Sequence, residues 1–288
     1  MTDSKPPILA RPWRSRVPNE IALRITALRE TFEEAGCLFA RHKDNGEIFD
    51  QNSMSGHVMS DFRAQVQGDP QRFIEVFKEL NCYPDVVSLV EWSDWLTPSE
   101  GRRRFDTLFF VICRDEPPVV SHDEQETVQD SSFTSNEFIN KRNAGDVMLP
   151  PPQLYEMLRI NRFPSFEYFR YFLFQRARNY PTRRWLPVPL RCSDGLLSIL
   201  PGDCLYPHAL TDHECDDHDD TKDKLLAELT EEWKNKTIAD HIFETKDVNC
   251  LYWLSKDKCE GAGHWLHVMC LATDVFPGEG HLMPIMNK

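Results

Sequence analysis

Residues 29–37 read R29-E-T-F-E-E-A-G-C37, with one arginine, three glutamates and a glycine in a single short stretch. The residues before it fix how it folds. Ile21, Ile25, Leu28, Phe32 and Ala35 recur at spacings of three and four, which is one apolar stripe of an amphipathic helix. Asn19 stands where an N-cap would stand, and Gly36 is placed to end the helix. The pattern predicts a helix over 20–35 with Ile21, Ile25, Leu28 and Phe32 buried. On that helix Glu30 and Glu34 are four apart and share a face, Glu33 flanks them, and Arg29 is four from Glu33 and able to pair with it. Carboxylates this close repel one another unless a cation lies among them. An all-oxygen donor set suits Mg²⁺ or Mn²⁺ rather than zinc. The bland alternative is a solvated helix face, which is what most charge clusters are.

The bulk properties bound the problem. The chain has 288 residues, enough for one large domain or two small ones. Hydrophobic residues make up 41% and charged residues 27%, ordinary for a globular protein, and 18 Phe with 7 Trp argue against extensive disorder. The net charge of −13 opposes nonspecific nucleic-acid binding, so no nucleic-acid partner is expected. An anionic substrate would need a local reversal of that field. The nine cysteines form no regular framework, the opening MTDSKPPILARPWRSR lacks a signal-peptide core, and no apolar run would span a bilayer. These features lead to the expectation of a reducing intracellular compartment and no membrane partner.

Along the chain, residues 1–18 read as a proline- and arginine-rich tail. Strands are expected near 37–41, 86–91, 105–113 and 187–200, joined in one mixed sheet with the apolar 105–113 run internal. A polar loop covers 42–56. Helices are expected from Asp69-Pro70 onward, with Phe73, Val76, Phe77 and Leu80 on one face, and near 135–143, 152–161 and 165–178. Asp194-Gly195 marks a hairpin, and 126–133 reads weakly as a strand. From 207 to 288 the composition turns acidic and polar, with six acidic residues between 212 and 220.

The stretch at 29–37 resembles the second half of the Nudix box, G-x5-E-x7-R-E-U-x-E-E-x-G-U. The likeness extends through VPNEIALRITALRETFEEAG, CYPDVVSLVEWSDWLTPSEGRRRFDTLFFVICRDEPP, LPPPQLYE and RRWLPVPLRCSDGLLSILPGDCLY, so that 19–206 is similar to a coenzyme A-cleaving branch of the Nudix hydrolases. That resemblance implies an α/β fold, a Nudix-type α/β/α sandwich with a mixed sheet, its first strands missing, with extra helices and a divergent C-terminal tail. It implies Glu30, Glu33 and Glu34 as ligands of Mg²⁺ or Mn²⁺, Glu33, Glu34 and Arg29 as catalytic residues, and Arg29 orienting a glutamate by a salt bridge. It further implies a small-molecule nucleotide substrate, coenzyme A or acyl-coenzyme A, cleaved at its diphosphate, and a peroxisomal or mitochondrial setting.

The pattern breaks at two positions. The first glutamate of the box would fall at Ile21 and its glycine at Ser15. The expectation is therefore either an N-terminally short form of an active enzyme or a catalytically inactive Nudix-like interaction or regulatory protein. The ending MPIMNK carries no peroxisomal tripeptide.

Other candidates are weaker. Arg102, Arg103 and Arg104 precede an expected strand, and Arg103 and Arg104 are candidate phosphate-binding residues, with a solvated loop the equal alternative. Glu126 is a candidate extra acid or base. His208, His213, Cys215, His218, Cys250, Cys259, His264, His267 and Cys270 could supply zinc ligands, but their spacing is irregular and a polar tail is the better reading.

Overall fold

The computed structural model describes Ser15 and residues 17–98, 103–118, 120, 133–207, 220–244, 247–254 and 269–272. They fall into two compact units. One is built from segments within 1–92, 108–132 and 177–182, the other from segments within 93–107, 133–176 and 183–288. The architecture is α/β.

In the first unit, α1 (Glu20–Ala35) spans the expected range. Asn19 precedes it with φ 55°, and its side chain makes no capping bond; its carbonyl accepts the first helical hydrogen bond, from the Ala22 N–H at 2.9 Å. Two further helices follow, α2 (Gly56–Gly68) and α3 (Arg72–Glu79). Strands β1 (Ala40–His42) and β2 (Cys82–Pro84) pair antiparallel. Leu28 and Phe32 of α1, Phe62 and Val66 of α2, and Phe73, Val76 and Phe77 of α3 enclose one core. Phe73 links two of these helices, its ring centroid 6.2 Å from that of Phe32 and 4.9 Å from that of Phe77.

The buried stripe of α1 differs from the expected one. Leu28 and Phe32 are buried, but Ile21 and Ile25 are only half-buried, and the inward positions one turn and two turns earlier belong to Arg24 and Glu20. Arg24 Nε donates to Glu20 at 2.5 Å, its Nη2 donates to Glu91 at 3.0 Å, and its Nη1 donates to the Leu89 carbonyl. Thr182 donates to the other Glu91 oxygen at 3.1 Å. Burial lowers the Arg24 pKa, and Glu91 partly restores it. A charged pair can occupy a core face only when every member has partners.

Strands β3 (Val90–Leu96), β4 (Asp106–Val111) and β5 (Arg184–Trp185) form a three-stranded sheet in the order β4-β3-β5. The single mixed sheet expected from the sequence is thus corrected: the described strands form three sheets, and the 105–113 run lies at an edge while β3 is central. Composition misled here. The 105–113 run is apolar yet half-exposed or exposed, whereas β3 carries Glu91 and Asp94, whose charges are met by Arg24 and Arg184.

The second unit holds α4 (Ser135–Ala144), α5 (Pro151–Ile160) and most of α6 (Phe166–Asn179), close to their expected limits. Thr134 and Glu137 form a reciprocal capping box on α4. Strands β6 (Val188–Cys192) and β7 (Gly195–Ile199) make the expected hairpin, with Cys192 opposite Gly195. The segment read as a polar tail is folded where the structure describes it: α7 (Asp220–Trp233), α8 (Ile238–Glu244), β8 (Asn249–Leu254) and β9 (Met269–Ala272). Strands β6-β7-β8-β9 run antiparallel, and Trp233, Ile238, Val248 and Cys250 pack with Val188, Leu190, Leu197 and Ile199. The weak strand expected at 126–133 lies, except for Phe133, outside the described residues.

Arg24→Met keeps most of the volume but leaves Glu20 and Glu91 buried without their guanidinium. Urea unfolding should show a loss of about 3–5 kcal/mol. A loss below about 1 kcal/mol would contradict a structural role for this cluster.

Candidate metal centre on helix α1

Leu28 and Phe32 fix the rotation of α1, and that rotation sets where its charges go. At 3.6 residues per turn, Glu30 and Glu34 fall on the side away from the buried pair, and Arg29 and Glu33 lie on one flank. The burial follows this geometry: the Glu30 side chain is 46% exposed and that of Glu33 17%. Arg29 Nη1 donates to both Glu33 oxygens at 2.6 Å, and Nη2 donates to Glu30. Burial lowers the Arg29 pKa, but Glu33 and then Glu30 outweigh it, and the net shift is upward. One guanidinium against three carboxylates leaves the segment acidic, with oxygen donors on adjacent turns of one helix. That donor set fits a hard divalent cation.

The end of α1 is held from two directions. Gly36 takes φ 69°, a left-handed turn that favours glycine, and its N–H donates to the Phe32 carbonyl at 3.0 Å. From α2, Arg63 donates to the Glu33 carbonyl at 2.8 Å and the Glu34 carbonyl at 2.6 Å, and Gln67 donates to the Glu33 carbonyl at 3.0 Å. A cation on the last carbonyls satisfies orphan acceptors and complements the helix dipole. Beyond Gly36, the Gln51 amide donates to the Gly36 carbonyl at 3.3 Å and accepts from the Leu38 N–H at 2.6 Å.

Further along the same unit, Asp85 is fully buried between Arg41, at 2.6 Å, and Arg114, at 2.5 Å. Arg114 also lies over the Phe39 ring, 5.3 Å from its centroid. Arg114 and Phe39 line a groove of about 370 Å³ enclosed by segments 38–40, 48–52 and 114–118. The glutamates of α1 are not among its walls.

Sequence reasoning found Arg29, Glu30, Glu33 and Glu34 but missed Arg63, Gln51, Asp85 and Arg114. The Met59, Phe62, Arg63, Val66 spacing of α2 was a helical signal that could have exposed Arg63.

The remaining candidates are less connected. Arg103 and Arg104 are exposed in the second unit, and Arg104 Nε donates to the Thr97 carbonyl at 3.1 Å. Arg102, Glu126, His208, His213, Cys215, His218, Cys259, His264 and His267 lie outside the described residues. Cys250 is buried in the second unit's core. Among the described residues, one group of three or more His, Cys, Asp or Glu ligand atoms converges, that of Asp203, Cys204 and His241; the carboxylate oxygens of Glu30, Glu33 and Glu34 share one helix but do not converge on one point in this way. Asp203 there accepts from the Leu205 N–H at 3.0 Å, the Asn249 N–H at 2.8 Å and His241 Nε2 at 3.0 Å, so its oxygens are engaged in holding loop, helix and strand together. No helix among the described residues is long and apolar enough to cross a membrane.

Residues 2–160 match the model of the NUDT19 Nudix domain. The chain belongs to this Nudix family. It is 38% identical over 202 residues to "Acyl-coenzyme A diphosphatase NUDT19" of Xenopus laevis, covering 67% of this chain and 53% of that one. It is 37% identical over 198 residues to the protein of the same name from Homo sapiens, covering 66% and 52%. The chain therefore spans about half the length of the curated relatives it matches. Among solved structures, a Nudix hydrolase from Alicyclobacillus acidocaldarius aligns with a TM-score of 0.46 and 22% identity, over 55% of this chain and 68% of that one.

Arg63→Ala removes two charge-assisted bonds to the last turn of α1. Stability should fall by about 1.5–3 kcal/mol, and amide hydrogen exchange should quicken in residues 32–36. Unchanged exchange there would show that Arg63 does not hold the turn.

Proposed function

We propose that this chain cleaves the diphosphate of coenzyme A and acyl-coenzyme A in a metal-dependent reaction. The products would be a 4'-phosphopantetheine half and adenosine 3',5'-bisphosphate. The observation that carries this reading is the ion cluster of α1: Arg29 bonded to both Glu33 and Glu30, with Glu34 one turn on from Glu30, in a chain of the NUDT19 Nudix family.

Glu30, Glu33 and Glu34 would hold a divalent cation, Mg²⁺ or Mn²⁺. Bound there, such an ion would supply charge neutralisation for the diphosphate and a lowered pKa for the attacking water. Arg29 is a positioning residue. Its two-pronged contact holds Glu33 in one rotamer, and its second terminal nitrogen offsets the repulsion between Glu33 and Glu30. A carboxylate of Glu33 or Glu34 takes the proton from the attacking water. Arg103 and Arg104 remain candidates for phosphate contacts through their exposed guanidinium groups. A peroxisomal or mitochondrial setting rests on the family resemblance.

A second reading, a catalytically inactive Nudix-like interaction protein, is favoured by Ser15 and Ile21, which stand where the box has its glycine and first glutamate.

Glu34→Gln separates these. It removes one charge and little volume, so the protein should fold, and relief of repulsion should leave the metal-free form as stable or slightly more so. Turnover of coenzyme A with Mg²⁺ should fall by about a hundredfold or more. Equal turnover in wild type and variant would overturn the site assignment. No turnover by wild type with either Mg²⁺ or Mn²⁺ would favour the inactive reading.

A further inference from the structure

The convergence at Asp203, Cys204 and His241 lies in the second unit and takes no part in the chemistry proposed for α1. A carboxylate oxygen, a thiol sulfur and a ring nitrogen, one from each residue, all lie within 4.8 Å of one another. Asp203 Oδ2 is 3.0 Å from His241 Nε2, and Cys204 Sγ is 3.9 Å from Asp203 Oδ1. Ligand atoms around one tetrahedral zinc ion, bonded at about 2.0–2.3 Å, stand about 3.3–3.8 Å apart. The three atoms here are within about 1 Å of that spacing.

The local fold holds them in place. Asp203 and Cys204 belong to the turn that follows β7. Gly202 takes φ 92° there, which turns the chain, and the Asp203 N–H donates to the Leu200 carbonyl at 3.0 Å. The Cys204 N–H donates to the Asp247 carbonyl at 2.9 Å. His241 comes from α8, and its ring stands edge-on to Trp233, with centroids 5.6 Å apart and planes at 87°. The side chains of Asp203 and His241 are fully buried, whereas Cys204 is exposed. Two ligands are thus fixed inside the protein, and the third opens to solvent. That opening gives an ion its entry path and a water molecule the fourth position.

The hydrogen bonds of Asp203 leave room for this. Oδ1 accepts from the Leu205 N–H, and Oδ2 accepts from the Asn249 N–H as well as from His241. An ion that takes the place of the His241 proton keeps both backbone bonds, because each carboxylate oxygen offers two acceptor sites. One sulfur, one nitrogen and one oxygen form a borderline-soft set. Zn²⁺ suits it, whereas Mg²⁺ suits the all-oxygen set on α1.

The geometry points to a second metal site, for Zn²⁺, at Asp203, Cys204 and His241, with water as the fourth ligand. The ion clamps the turn after β7 to α8. It binds Cys204 as the thiolate, so that the thiol proton is released to solvent. The site is independent of the diphosphatase reading.

The test uses the full chain, kept reduced, carrying Glu30→Gln and Glu34→Gln so that the α1 acids do not compete for the ion. Co²⁺ is the probe, because a thiolate bound to it gives a near-ultraviolet charge-transfer band and a tetrahedral site gives strong visible bands. Stoichiometric Co²⁺ is expected to produce both, Zn²⁺ to bleach them, and excess Mg²⁺ to leave them unchanged. Cys204→Ser should fold as its parent does, since the side chain is exposed. It should lose the charge-transfer band and bind Zn²⁺ about tenfold or more weakly. His241→Gln should weaken Zn²⁺ in the same direction; where that core variant fails to fold, Cys204→Ser decides. No band with Co²⁺, an unchanged band in Cys204→Ser, or bleaching by Mg²⁺ would overturn the inference and leave Asp203 and His241 as a structural hydrogen bond alone.

Discussion

Everything at the glutamate cluster depends on the anchoring of α1 by its opposite face. Leu28 and Phe32, buried against α3 through Phe73, set the rotation of the helix. With that rotation fixed, residues 30 and 34 turn away from the core and residues 29 and 33 lie to one side. Gly36 then lets the chain leave in a left-handed turn, and Arg63 and Gln67 reach across from α2 to the final carbonyls. A helix free to roll or fray would scatter the same carboxylates. The apolar stripe, the glycine and the arginine on the next helix are therefore as much a part of the site as the acids.

Electrostatics explains why a metal is the natural complement. The chain carries a net charge of −13, and several arginines of the first unit are engaged internally. Arg24 is buried between Glu20 and Glu91, Arg41 and Arg114 share Asp85, and Arg29 serves Glu33 and Glu30. Each of these pairs stabilises the fold by keeping a buried or crowded carboxylate matched. On the proposed reading, the positive field needed by a diphosphate comes from a divalent ion held by Glu30, Glu33 and Glu34.

Much of this was legible in the sequence wherever the signal was local. The limits of α1, the stop at Gly36, the three helices between 135 and 179 and the hairpin at 188–199 follow from periodicity and turn residues, and the structure places them close to where those signals fall. What sequence reading lost was non-local compensation. Glu20 and Arg24 break the apolar stripe of α1: they pair with each other, and the second carboxylate that matches Arg24, Glu91, lies 67 residues beyond it. The 105–113 run was expected to be internal because it is apolar, though it occupies an edge, and the central strand is β3, whose Glu91 and Asp94 are matched by Arg24 and Arg184. Helix α2 went unrecognised because its inward face mixes Arg63 with Met59, Phe62 and Val66. The acidic composition after residue 207 masked Trp233, Ile238 and Val248, which join a core only once β6 and β7 are beside them. At the site, the charged residues of α1 were visible as a motif, whereas their supports, Arg63 and Gln51, come from elements whose proximity no local pattern records.

The central claim is that the acids of α1 form one divalent-cation site. Titration of the chain with Mn²⁺, with free ion followed by electron paramagnetic resonance, tests it without reference to substrate or turnover. A saturable site is predicted in wild type, weakened by about tenfold or more when Glu30→Gln and Glu34→Gln are combined. Identical Mn²⁺ binding by wild type and the double variant would contradict the account.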